Sequence, residues 1–215
     1  DELKASPKTC KPFYTFLDLT SKSHVKKVFE LQPHQLALLI ALVEEGLCSY
    51  EVSVSMQCCS IVDNIVSFFV EHKKQGLAQQ QEQGLAAVGG GAGVGEQNLV
   101  GTQLTPEAQY VHSFLAQQPE ALKRILNLMF QLILAGEFSS TWSLSRPLLA
   151  LILLYPEDYV LLKDRLILQQ IEERREKLRN FFEELMQQVE NNLSSRNRDH
   201  FTRQLYTFAQ MVKAL

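Results

Sequence analysis

The sequence predicts an all-α protein of stacked antiparallel helix pairs, an α-solenoid or an irregular bundle. Apolar residues recur at three- and four-residue spacing through most of the chain, the period of an amphipathic helix. Prolines stand where several such segments begin, a position at which the missing N–H does no harm. Strongly apolar segments alternate with amphipathic ones, as they do where helices pack in layers.

Each element follows from local signals. Pro33 suits a first helical turn, and His34–Leu47 follows with Leu36, Leu39, Ile40 and Val43 on one face and Gly46 placed to help end it. Tyr50, Val52, Val54 and Met56 alternate like a strand. The longer stripe of Val52, Met56, Cys59, Val62, Val66 and Phe69 favours a helix through Val70. Thr105-Pro106-Glu107-Ala108 reads as an N-cap and first turn. Pro119-Glu120 opens a helix whose Leu122, Ile125, Leu126, Met129, Phe130, Ile133 and Leu134 cover nearly its whole circumference. Such a helix is expected between layers. Ser139-Ser140-Thr141 is a helix start before Trp142, which is expected in the core. Ser145-Arg146-Pro147 leads into the apolar run Leu148–Tyr155, and Pro156-Glu157 opens the next helix. A long amphipathic helix is predicted over Ile171–Leu193, with Ile171, Leu178, Phe181, Phe182, Leu185, Val189 and Leu193 as its stripe. A last one near Arg198–Leu215 carries Phe201, Leu205, Phe208 and Val212.

Eight of the ten glycines lie between Gly76 and Gly101, and Gln75–Gly101 adds six glutamines and no aromatic residue. That composition buries too little apolar surface to offset ordering entropy, so a disordered Gly/Gln-rich insertion is expected. It divides the chain into helical repeats at 1–74, the insertion at 75–101, and C-terminal helical repeats at 102–215.

The chain of 215 residues is 46% hydrophobic and 21% charged, an ordinary globular composition. A formal charge of −3 gives no clustered basic excess for nucleic acid and no attraction to anionic lipid. The runs Leu148–Tyr155 and Leu128–Leu134 fall short of the ~20 residues that span a bilayer, so no membrane insertion is expected. Four cysteines are too few for a disulfide framework, and no charged-then-apolar leader opens the chain, so a reduced, soluble, intracellular protein is the expectation. The sequon at Asn192 then reads as chance. The chain begins at Asp1 without a methionine, which suits a piece of something longer.

No chemistry-bearing motif stands out. The glycines from Gly89 to Gly95 miss the dinucleotide spacing and are not followed by Lys-Ser/Thr, so they read as linker. His24, His34, His72, His112 and His200 are scattered, with no zinc-type grouping. Cys59 falls on an apolar stripe and reads as core. The mixed run Glu172–Lys177 reads as a solvated face, and Lys26-Lys27, Lys73-Lys74 and Lys123-Arg124 are isolated doublets. The expectation is no enzyme, no catalytic, cofactor-binding or metal-binding residue, no cofactor, and partner-binding residues that remain unassigned.

Three stretches together resemble a known family: Cys58-Cys-Ser-Ile-Val-Asp-Asn-Ile-Val66, Trp142-Ser-Leu-Ser-Arg-Pro-Leu-Leu-Ala-Leu-Ile-Leu-Leu154 and Asn197-Arg-Asp-His-Phe-Thr-Arg-Gln-Leu205. In order and spacing they are similar to the extreme C-terminal region of the exportin-seven group of karyopherin-β (importin-β) nuclear transport receptors, over most of residues 13–213. The resemblance implies an α-solenoid of HEAT/armadillo-like repeats. It implies a nuclear export receptor that binds protein cargo together with Ran-GTP, passes nuclear pore proteins, releases cargo on GTP hydrolysis, and shuttles between nucleus and cytoplasm. Ran would be held mainly by repeats absent from this chain. The insertion at 75–101 departs from the family pattern. A helical-repeat scaffold for protein–protein interaction without a transport role is the alternative.

Overall fold

The structure is a computed structural model that describes residues 7–88, 104–138 and 140–215, with side chains over 11–73, 104–138 and 140–215. Among these residues there are ten helices and no strand: α1 (Pro7–Ser23), α2 (Val25–Val28), α3 (Pro33–Leu47), α4 (Val52–Val88), α5 (Pro106–Gln117), α6 (Ala121–Ala135), α7 (Thr141–Leu154), α8 (Pro156–Leu168), α9 (Glu172–Leu185) and α10 (Ser195–Lys213). Every third helix stacks: α1 on α4, α4 on α7, α7 on α10. A second row pairs with the first, α3 with α4, α6 with α7 and α9 with α10. The short helices α2, α5 and α8 link successive units. This is an α-solenoid of HEAT/armadillo-like type, as the sequence predicts. Buried side chains from both sides of residues 75–101 form one cluster.

The helix starts are written in the sequence. Thr105 Oγ1 accepts from Ala108 N at 3.2 Å, with Pro106 in the first turn of α5. Ser140 Oγ accepts from Ser143 N at 3.3 Å to start α7, and Ser194 Oγ from Asn197 N at 3.3 Å to start α10. Gln32 N donates to Gln35 Oε1 at 2.9 Å ahead of Pro33. Gly136, at φ 72°, closes α6 and lets Glu137 N reach Leu132 O at 2.9 Å.

The ladder at Tyr50–Met56 is helical from Val52, and α4 buries consecutive residues such as Ile61-Val62, Ile65-Val66 and Phe68-Phe69-Val70. Val52 and Met56, from the predicted stripe, are instead exposed. The window Val52–Lys73 has a mean hydropathy of 1.4 and is long and apolar enough to cross a membrane, which the search for unbroken apolar runs overlooked. Its burial under α1, α2, α3, α5 and α7 is that of a core helix.

Three expected element extents are corrected. Helix α4, predicted through Val70, continues to Val88, over a stretch whose Gln, Ala, Leu and Glu are strong helix formers. Residues 89–101 lie outside the described residues. Helix α6 buries one broad face rather than its whole circumference, whereas α7 is buried on all sides along Leu148–Ile152. Helix α7 opens at the predicted start around Ser140 and runs on through Pro147 into the apolar run, so Pro147 lies inside it. The helix predicted over Ile171–Leu193 ends at Leu185, and Gln188 takes a left-handed φ of 58°. The Asn197 carboxamide bridges the turn, accepting from Glu190 N at 2.9 Å and donating to Glu190 O at 2.6 Å and Asn192 O at 2.7 Å. Val189 and Leu193 still pack on the core from this turn. Helices α1 and α2 carry no assignment from the sequence.

Aromatic side chains tie linkers to layers. Phe29 after α2 stacks on Phe68 of α4 at 4.1 Å, and Phe130 of α6 meets Phe182 of α9 at 5.5 Å, which meets Phe208 of α10 at 5.0 Å. Gly46 is buried within α3 rather than ending it, and a Cβ there would collide with Cys58 Sγ and the Tyr14 ring. Leu126→Ala and Phe182→Ala should each lower stability by about 2–5 kcal/mol in chemical denaturation, since both side chains are fully enclosed. Gly46→Ala should lower it by about 1–3 kcal/mol despite alanine's better helix propensity, and a gain in denaturation midpoint would refute the close packing of α3 on α1 and α4.

Candidate partner-binding groove

The three motifs of the resemblance converge. Cys58–Val66 lies on α4, Trp142–Leu154 on α7 and Asn197–Leu205 on α10, the three successively stacked helices. Behind their contact runs a polar network between residues far apart in sequence. Arg198 Nη1 donates to Asp63 Oδ1 at 2.8 Å and Oδ2 at 3.0 Å, Nη2 donates to Ser67 Oγ at 2.8 Å, and Nε donates to Leu193 O at 3.2 Å. Both charged side chains are largely enclosed, at 13% and 14% exposure. Ser145 and Thr202 hydroxyls meet at 2.7 Å beside it, joining α7 to α10.

In front of this network, α1, α4 and α7 enclose a groove of about 410 Å³. Asp18 and Lys22 of α1 form one wall, Met56, Gln57, Ser60, Asp63 and Asn64 the floor, and Trp142, Arg146 and Pro147 the other wall. Side-chain hydrogen bonds hold the α1 wall: Gln57 Nε2 donates to Thr15 Oγ1 at 2.8 Å and Asn64 Nδ2 to Ser21 Oγ at 3.1 Å. Because Thr15 Oγ1 itself donates to Lys11 O at 2.9 Å, it must accept from Gln57, which fixes the orientation of that amide. Asp18 Oδ1 and Gln57 Oε1 accept no hydrogen bond from the described residues.

Trp142 was expected in the core and is 60% exposed. Starting α7 at Ser140 turns Leu144, Leu148 and Leu151 inward and leaves Trp142 and Arg146, one turn apart, on the rim. The Arg146 guanidinium lies over the indole, 5.1 Å from the ring centroid. Among the described residues none of its N–H groups meets an acceptor.

The described members of the basic doublets singled out in the sequence are engaged. Lys26 pairs with Glu107 at 3.1 Å and Lys27 with Glu30 at 2.7 Å; Lys123 pairs with Asp158 at 2.7 Å and Arg124 with Glu44 at 3.2 Å. Lys73 Nζ donates to Leu154 O at 2.9 Å at the end of α7. The run Glu172–Lys177 is a largely solvated face, with Arg175 closing the end of α8 through Leu168 O and Gln170 O.

The histidines remain dispersed over α2, α3, α4, α5 and α10, and no three potential ligands cluster among the described residues. Cys59, on the groove side of α4, is buried, and burial, with Asp63 nearby, pushes its thiol up to about 12. It is therefore a protonated core group at neutral pH and no nucleophile.

The fold and groove define a helical-repeat solenoid with a surface suited to peptide or protein contact. Over nearly its whole length the chain is similar to one segment of exportins and Ran-binding proteins. It is 28% identical over 211 residues to Exportin-7-B of Xenopus laevis, covering 96% of this chain. It is 30% identical over 205 residues to Ran-binding protein 17 of Homo sapiens and 28% identical over 206 residues to Ran-binding protein 16 of Drosophila melanogaster. The chain spans 17% of the length of each of these relatives. The resemblance drawn from the three motifs thus extends across the chain. No family model and no solved structure matches it.

Asp63→Ala strands the Arg198 guanidinium in the α4–α10 seam and should cost about 3–5 kcal/mol. Asp63→Asn combined with Arg198→Met should cost less than Asp63→Ala alone, measured as urea midpoints. In native protein a disulfide-exchange reagent such as DTNB should label exposed Cys48 long before Cys59. Labelling of both at one rate would contradict the burial of Cys59.

Proposed function

We propose that this chain is the C-terminal region of a nuclear export receptor that carries protein cargo through the nuclear pore in a Ran-GTP-dependent manner and shuttles between nucleus and cytoplasm. The observation that carries the reading is the similarity to Exportin-7-B across 96% of the chain, on a solenoid fold that suits such a carrier. Ran contacts would reside mainly in repeats outside this chain, with cargo and nuclear pore proteins as further partners. The protein works by binding and not by catalysis.

The mechanism follows from the solenoid. Stacked units touch only their neighbours, so small rotations at each seam accumulate into a change of curvature. Two partners that favour the same curvature strengthen each other's binding, which is a coupling free energy between sites. The seams between α4, α7 and α10 would set the curvature of this end.

The complete protein should bind GTP-loaded Ran at least about tenfold more tightly than GDP-loaded Ran, and cargo should sharpen the preference. Equal affinity for the two nucleotide states, with no export in a cell-based shuttling assay, would replace the transport reading with that of a static scaffold.

A further inference from the structure

We propose that the groove between α1, α4 and α7 binds an acidic peptide segment of a partner protein, with Arg146 as its anchor. The assignment rests on reading this solenoid as a protein-binding receptor segment, and names the chemistry of one partner.

Charge complementarity selects the occupant. Asp63 lines the groove but is neutralised by Arg198 at 2.8 Å. That leaves Lys22 on the α1 wall beside Asp18 and Arg146 on the α7 wall, one net positive charge in a chain whose net charge is −3. Neither cation has an acidic partner among the described residues, in contrast to Lys26, Lys27, Lys123 and Arg124. Arg146 is moreover held in place. Its guanidinium lies over the Trp142 ring, 5.1 Å from the centroid, so part of the conformational entropy of fixing a long side chain is lost before any partner arrives. A guanidinium whose N–H groups meet no acceptor suits a planar, bidentate one, and a carboxylate is that acceptor in a protein partner.

The remaining surfaces fit a peptide. Met56 and Trp142 are exposed beside the cations and offer apolar contact to a side chain next to the acidic residue. Ser60, Asn64 and Ser143 line the same groove with hydrogen-bonding groups suited to an extended backbone. A volume of about 410 Å³ holds a few residues of such a segment. Nucleic acid is a poorer occupant, because affinity for phosphate backbones needs many cations along a track and this groove has two.

The test uses the full chain and three fluorescein-labelled peptides of one length, read by anisotropy. The first alternates Glu and Leu, the second replaces every Glu with Gln, and the third replaces every Glu with Lys. The Glu peptide should bind, and the other two should bind at least about tenfold more weakly. Arg146→Gln and Trp142→Ala should each weaken the Glu peptide about tenfold, and Lys22→Gln a few-fold, with circular dichroism unchanged because these side chains lie on the rim. Trp142 is the chain's single tryptophan, so its emission should shift as the Glu peptide is added. The proposal is overturned if the three peptides bind alike, if Arg146→Gln leaves the affinity unchanged, or if a single-stranded oligonucleotide of equal charge displaces the Glu peptide. Ran-GTP binding is measured alongside on the complete receptor carrying Arg146→Gln. Its retention with loss of the peptide separates the groove from the Ran reading, and a complete receptor that takes the peptide but ignores Ran refutes the transport reading alone.

Discussion

A helix that is apolar around most of its circumference has to be covered from several directions, and α4 sets that requirement for the whole molecule. Its run from Val54 to Val70 accounts for burial against α1, α2, α3, α5 and α7, helices that come from both sides of the long insertion. Burying a large aliphatic or aromatic side chain is worth about 1.5–3 kcal/mol, so the eight of them buried on this one helix outweigh the cost of closing a long loop, which grows only logarithmically with length. The insertion is tolerated for that reason. Helix α7 repeats the situation one unit on, and together α4 and α7 hold the solenoid's middle.

Onto this apolar stack the chain adds one enclosed ion pair. Arg198 with Asp63 contributes alignment more than net stability, since desolvating two charges offsets most of their attraction. Only one rotational setting of α10 against α4 satisfies all four bonds of the guanidinium. The same setting brings Phe208 onto Phe182 and places Thr202 against Ser145. On the groove floor, this network also offsets the charge of Asp63 in the field that a partner meets.

The helices were legible wherever the determinant is local. Thr105-Pro106, Pro33 and Pro156-Glu157 mark true starts, and the stripes Leu36–Val43 and Phe201–Phe208 point inward as their spacing requires. The failures share a cause, a determinant that lies elsewhere in the chain or in a different phase. Trp142 was expected inward although its helix start at Ser139-Ser140-Thr141 was legible; the cap at Ser140 phases the helix so that Leu144 and Leu148 face the core and the indole stands on the rim. The end of α9 at Leu185 depends on Asn197 reaching back to Glu190 and Asn192, which no window around residue 185 contains. The Asp63–Arg198 pair joins residues with no local signature at all. Of the groove, the sequence showed two of the segments that line it, Cys58–Val66 and Trp142–Leu154, but only the stacking of α1, α4 and α7 shows that their polar members share a surface.

The seams of the stack differ in kind. Between α4 and α7 the buried side chains are mostly apolar, with Lys73 Nζ on Leu154 O at the end of the seam; between α1 and α4 they include Gln57 on Thr15 and Asn64 on Ser21, with two acceptor oxygens left over at Asp18 and Gln57. Under load these behave as different materials. An aliphatic seam resists until it fails, because its energy is lost over a short separation, whereas a seam of side-chain hydrogen bonds can exchange partners with water and slide. Tension applied along the chain would therefore be taken up first at α1, leaving the α4–α7–α10 block rigid, much as a hinge leaf yields before the door.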